Sequence, residues 1–204
     1  MKRAIVWLLT AALCLAVLSS LAEEDEGFRL SGLEEDETLM IYLDDNGIDT
    51  VYRSMNQPFL GETDEGIVCA FLDYVELANE NDLVAIRFTL ALTMDDALYA
   101  DKLTVRLGDR AWTWSVSTRG TEYDANYQED YSVILVGDGF SFLEALASAG
   151  GEPLTFTLLG YRTVTGSVTV DAAEAKAILT RYTELGGMEQ DVSAFAEKWA
   201  PAMD

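Results

Sequence analysis

The chain has 204 residues, with 36 acidic against 13 basic side chains for a formal net charge of −23, and it contains no histidine. A field of that sign disfavours DNA, RNA and anionic lipid headgroups as partners, and favours cations or basic surfaces. The missing histidine excludes Ser-His-Asp and Cys-His nucleophile systems, imidazole general bases and most zinc sites.

In chain order, Lys2 and Arg3 precede an apolar stretch at 4–18, and Ser20-Leu21-Ala22 then offers small residues before Glu23. This is the secretory pattern, and it predicts a signal peptide over 1–22. The uncharged run at 4–22 is just long enough for an uncut membrane anchor, the competing expectation. Cys14 follows Leu13 in mid-core, which does not fit a lipidation signal. After cleavage Cys69 is the remaining cysteine, so no internal disulfide is available. Residues 23–38 are half acidic and lack an apolar period, which predicts a disordered acidic leader. Residues 39–204 then form a single β-rich domain.

Met40-Ile41-Tyr42-Leu43 and residues 48–52 flank Asp45-Asn46-Gly47, a hairpin signal. The acidic turn is not an EF-hand. Aligning Gly47 with the loop glycine puts Tyr42 and Arg53 at ligand positions, where neither serves. Residues 67–78 predict a central strand, apolar on both faces. Residues 84–94 alternate with period two, as a strand with one buried face does. On the first of these strands Asp73 shares a face with Phe71 and Val75. If buried it needs a partner, and the competing expectation is a strand end or bulge that lets it reach solvent. Cys69, among apolar neighbours, is expected to be buried and inert.

Residues 102–117 predict a second hairpin turning at Gly108-Asp109 in type II′ geometry. Trp112 and Trp114 share one of its faces, as core residues do. The polar segment 118–130 reads as a loop, followed by a short strand at 131–136. Ser141 is expected to cap a helix running to Ala149, with strands at 154–159 and 164–170 beyond it. Asp171 and Glu174 open a helix to Leu185 as a capping-box variant. A last amphipathic helix is expected at 192–200, before Pro201. The fold class is therefore α+β and mainly β: an antiparallel β-sandwich or flattened barrel with two or three helices late in the chain.

From Tyr131 to Leu185 the order is strand, short helix, two strands, long helix. That order resembles the end of small exported β-sandwich proteins of the invasion-associated-locus-B type. The resemblance implies a β-sandwich and brings no catalytic residues.

No GxSxG, Walker A or Rossmann glycine pattern occurs. The leading expectation is thus an exported acidic binding or interaction module without catalytic activity, cofactor or metal. It would be secreted, or held in the periplasm or cell envelope, with an unknown protein or glycan partner, no nucleic acid, and no membrane after signal cleavage. The rivals are a carboxylate-dependent glycan hydrolase, which needs only two suitably placed acids, and a cell-envelope structural protein. Ligand contacts are expected on the 118–130 loop. There Tyr123 and Tyr127 offer contact area at low entropic cost, and Asp124, Glu129 and Asp130 offer polar groups.

Overall fold

The computed structural model of this chain describes residues 28–44, 47–78, 83–116, 118–123, 126–193 and 202–203. The expected signal segment, the turn at 79–82 and the body of the last expected helix lie outside the described residues. Twelve strands run in order: β1 (Leu39–Leu43), β2 (Thr50–Ser54), β3 (Phe59–Thr63), β4 (Ile67–Leu77), β5 (Leu83–Met94), β6 (Lys102–Leu107), β7 (Arg110–Ser115), β8 (Thr118–Tyr123), β9 (Asn126–Leu135), β10 (Leu154–Leu159), β11 (Thr163–Val168) and β12 (Ala202–Met203). Among the described residues three α-helices accompany them: α1 (Ser31–Glu34), α2 (Phe140–Ser148) and α3 (Ala172–Glu184).

The fold is α+β and mainly antiparallel β. The two segments with the strongest strand signal form its longest pairing, β4 with β5, in register from Ile67↔Thr93 to Leu77↔Leu83. Around them the sheet runs β12-β7-β6-β10-β11-β3-β4-β5-β9-β8, with β1 and β2 branching from β4. Among the described residues no pairing joins the two ends, so the barrel is not closed. Ser115 ends β7 and Thr118 begins β8. Three peptide steps span at most about 11 Å, which draws the two arms together at that corner.

One edge of β4 serves two partners. Residues 67–70 pair with β3, and residues 73–76 pair with β2. At the changeover the Gln57 side chain replaces a strand. Leu72 N–H donates to Gln57 Oε1 at 2.7 Å, and Gln57 Nε2 donates to Leu72 O at 2.6 Å. Both backbone groups are thereby satisfied where no strand reaches them.

The inward side chains of the two arms share one core. Val68, Leu72, Phe88 and Leu90 on one arm and Leu103, Val105, Trp112 and Trp114 on the other are all buried. Helix α2 fills the space between them. Phe142 meets Phe88, Trp112 and Trp114 edge-on, with centroids 5.1, 5.3 and 5.5 Å away. Helix α3 is fastened to the same sheet by Tyr182 Oη donating to Val84 O and Tyr74 Oη donating to Ile178 O. A second, smaller cluster of Val51, Val75, Ala85, Ile134 and Val136 lies apart from it. The two clusters explain why β4 is apolar on both sides.

Several sequence expectations are corrected. Residues 28–38 are not a disordered leader: they include α1, bury Leu33 completely, and dock through Arg29 N–H to Leu185 O. One leucine in an acidic stretch carries too little periodicity to reveal this. Residues 118–130 are not a loop but the β8–β9 hairpin. Its polar alternation belongs to the edge of the sheet, where one face meets water. Cys69 is half-buried, because it points away from the main core on the side of Phe71 and Asp73. Ser141 is not the helix cap; Gly139 holds that position, and Ser141 Oγ donates to Asp138 O while accepting from Trp112 Nε1. Strand β3 had no signal in the alternation pattern. Asp171 does cap α3, accepting from Ala173 N–H at 2.8 Å, but Glu174 turns instead to Asn56 Nδ2. At the β6–β7 turn Gly108 has φ 57°, as the first position of a type II′ turn requires.

Candidate functional site

At one end of the sheet the turn at 64–66, the 95–101 loop and the β10–β11 turn converge, with the start of β9 beside them at Tyr127, opposite Met94. The 95–101 loop leaves β5 at Met94 and enters β6 at Lys102. Its Leu98 is fully buried, and the next residue, Tyr99, has φ 47°. Positive φ is uncommon for a bulky residue and must be imposed by its surroundings.

Those surroundings can be named. Leu98 N–H and Tyr99 N–H both donate to the Glu129 carboxylate, at 3.1–3.3 Å. Tyr131 Oη donates to Glu129 and accepts from Ala100 N–H at 3.3 Å. Thr118 Oγ1 donates to Ala100 O at 2.7 Å. From the opposite side Arg162 donates from Nη1 to Ala97 O at 2.7 Å and from Nη2 to Asp96 O at 2.8 Å, while its Nε and Nη2 grip Glu65. Tyr161 N–H donates to Leu98 O at 3.0 Å. A Cβ at Gly160 would collide with that same carbonyl oxygen, so only glycine lets the β10–β11 turn approach. Burial, followed by the hydrogen bond to Glu129, pushes the Tyr131 phenol well above its ordinary pKa.

The outcome is a loop tied from both sides that presents two aromatic rings to solvent. Tyr99 is 50% exposed and Tyr161 84% exposed, and their rings meet edge to face with centroids 5.5 Å apart. Tyrosine supplies a large amphipathic contact with few rotatable bonds, and exposed aromatic rings on a rigid support make a stacking or gripping surface. Asp64, Glu65, Asp95, Asp96 and Asp101 flank the pair in sequence, with Glu65 ion-paired to Arg162.

The residues singled out from sequence are distributed by the strand pleat. Tyr127 is half-buried at the start of β9, opposite Met94, and Glu129 is fully buried on the same face. Asp130 is half-buried on the other face, opposite Ala91. Tyr123 ends β8, with its backbone paired to Asn126; its side chain, like Asp124, lies outside the described residues. The three whose side chains are described, Tyr127, Glu129 and Asp130, therefore lie on a strand and divide between its two faces. Glu129 belongs to the site as the support of the 95–101 loop, with its oxygens already occupied by hydrogen-bond donors.

The sequence reading missed Tyr99 and Tyr161. Tyr161 was legible, since a large aromatic between two strand signals, directly after a glycine, sits at a hairpin tip. Tyr99 was not, because Ala97-Leu98-Tyr99-Ala100 reads as an apolar run until the backbone turns one of its members outward. Among the described residues no group of three or more histidine, cysteine, aspartate or glutamate side chains is arranged to hold a metal ion. Among them, too, no helix is long and apolar enough to cross a membrane. Compared with models of protein families, with characterised proteins and with solved structures, the chain matches none.

Proposed function

We propose that this chain is an exported, non-catalytic binding module of the cell envelope or medium, and that it takes a protein or glycan partner on the Tyr99–Tyr161 end of its barrel. The observation that carries the reading is the exposed tyrosine pair on a loop fastened at five backbone N–H or carbonyl groups by Glu129, Tyr131 and Arg162. A loop needing only to connect β5 to β6 has no use for a non-glycine residue at positive φ with its ring in water. Preorganisation of this kind reduces the ordering cost of binding.

Two observations favour binding over hydrolysis. The buried carboxylates among the described residues are Asp73 and Glu129. Asp73 is engaged by two arginines and Glu129 by backbone N–H groups and a phenol. Neither is left free to act as a general acid or nucleophile, roles that need a carboxyl open to substrate. Export rests on the basic, apolar and small-residue succession ending at Ala22.

The test compares wild-type protein with a Tyr99→Asn/Tyr161→Ala double variant, each immobilised and offered native envelope and medium extracts. Asn tolerates the left-handed backbone, and Tyr161 is almost fully exposed, so the double variant should keep its thermal midpoint. Loss of a partner that wild type captures supports the reading. Unchanged capture overturns the site, and cleavage of a glycan panel by purified protein, abolished by an Asp or Glu substitution, overturns the non-catalytic assignment.

A further inference from the structure

A different face of the barrel carries a second, independent observation. On β7, β6, β10 and β11 the side chains that alternate with the buried core residues point outward. In a chain with 36 acidic residues, none of these outward positions holds an acid. They are chiefly threonine and serine. A groove of about 430 Å³ runs over them, lined by Thr104, Arg106, Thr155, Thr157, Thr165 and Ser167, with Glu62 of β3 at its far side.

Register places four of the lining residues in one row across four adjacent strands. Arg106 stands opposite Thr155, Thr155 opposite Ser167, and Ser167 opposite Glu62. With strands about 4.8 Å apart the row spans roughly 14 Å. Threonine at outward strand positions is commonplace, since it suits a pleated surface. What sets this row apart is that its polar groups are idle. Among the described residues no hydrogen bond or ion pair engages the side chains of Arg106, Thr155, Ser167 or Glu62. By contrast Thr104 is bonded to Thr113, and Thr165 to Asp64. Among the described arginine side chains Arg106 alone lacks a partner; Arg29, Arg53, Arg87, Arg110, Arg162 and Arg181 are all engaged.

We propose that this groove is a binding site for a neutral polysaccharide, whose chain lies across the strands along the row Arg106–Thr155–Ser167–Glu62. The chemistry selects that class. A sugar hydroxyl both donates and accepts, so it satisfies a guanidinium at one end, two hydroxyls in the middle and a carboxylate at the other. The arginine and glutamate charges cancel, so the site does not ask for a charged ligand, and a neutral chain escapes the repulsion that this acidic protein exerts on polyanions. The groove is open and floored by hydroxyls and methyl groups, which suits an extended polymer better than apolar peptide side chains. This site does not rest on the tyrosine pair, although Tyr161 lies only four residues beyond Thr157, roughly 13 Å along the strand direction.

The experiment is affinity electrophoresis of the purified chain in gels containing soluble neutral polysaccharides (glucomannan, xyloglucan, hydroxyethyl cellulose, starch) and, separately, the carboxylated polymer alginate. Retardation is expected with at least one neutral polymer and not with alginate. Arg106→Ala and Glu62→Gln should each weaken that retardation about tenfold, as loss of a charge-assisted hydrogen bond does. Thr155→Val should weaken it by a smaller factor, about threefold. All three residues are surface groups without partners, so thermal midpoints should hold. No retardation by any neutral polymer overturns the proposal, and so does retardation that Arg106→Ala leaves intact. If Tyr161→Ala abolishes binding while Arg106→Ala does not, the tyrosine end is the glycan site and the groove is not. A short peptide that binds and is released by Arg106→Ala replaces the glycan with a peptide ligand.

Discussion

Asp73 and Glu129 stand on the two strands that flank β5, and both carboxylates are fully buried, yet they are stabilised by opposite means. Asp73 is answered by charge. Arg53 grips it at 2.6 and 2.7 Å, Arg87 approaches to 3.5 Å, and Arg87 also reaches Asp44 at 2.7 Å. Arg53 in turn lies over the rings of Phe71 and Tyr42. Glu129 is answered by dipoles: backbone N–H groups and a phenol contact it, and among the described residues no cation does. The ion pairs lock β2, β4 and β5 together across the sheet. The dipole cage fixes a loop and, through it, an exposed ring. One buried acid thus serves the scaffold, and the other serves the presentation of a surface.

The largest expected effect comes from breaking the first arrangement. Asp73→Ala leaves two guanidinium groups close together without their shared anion, and should destabilise by about 3–5 kcal/mol. A shift of the urea midpoint at constant slope measures it; a shift under 1 kcal/mol would mean that water replaces the carboxylate. Glu129→Gln is milder. The amide keeps the shape and one acceptor oxygen but loses the charge, so about 1.5–3 kcal/mol is expected. The sharper readout is local: hydrogen exchange of the Leu98 and Tyr99 amides should accelerate more than that of the β4–β5 core. Uniform acceleration would remove the distinction between scaffold and presentation.

Alkaline pH probes the phenols beside each carboxylate. Burial and then the Asp73 charge push Tyr42 up to about 12, and burial followed by the bond to Glu129 raises Tyr131. An ordinary phenol titrates near 10, so the fold favours the neutral form. That contribution is complete below about pH 10 and is lost as pH rises through the folded values. With no histidine in the chain, little change is expected from pH 6 to 9. The thermal midpoint should then fall from about pH 10 upward, and Tyr42→Phe should blunt the fall. An unaltered profile in that variant would assign the loss elsewhere. The smallest effect is that of Tyr99→Asn alone, within about 0.5 kcal/mol. Asn accepts positive φ more readily than tyrosine does, so a large destabilisation would show that the ring is structural.

The sequence by itself determined the alternation-driven parts of this protein. Period two across 84–94 demanded β5, apolar residues on both faces of 67–78 demanded a central β4, and the Trp112–Trp114 spacing placed both rings in the core. Asp171 marked the start of α3. Exclusion of histidine chemistry was also settled by composition. The tertiary structure alone decided what depends on partners distant along the chain. Glu129 reads as one more acid in a polar stretch until β9 carries it under the 95–101 loop. Asp73 reads as a liability until Arg53 and Arg87 arrive from strands on either side. The idle row from Arg106 to Glu62 exists only because register aligns residues 62, 106, 155 and 167. Local pattern reports which face of a strand is wet, because that choice is made by solvent at each residue. Which polar groups find partners within the chain, and which do not, is settled by long-range pairing, and no local period encodes it.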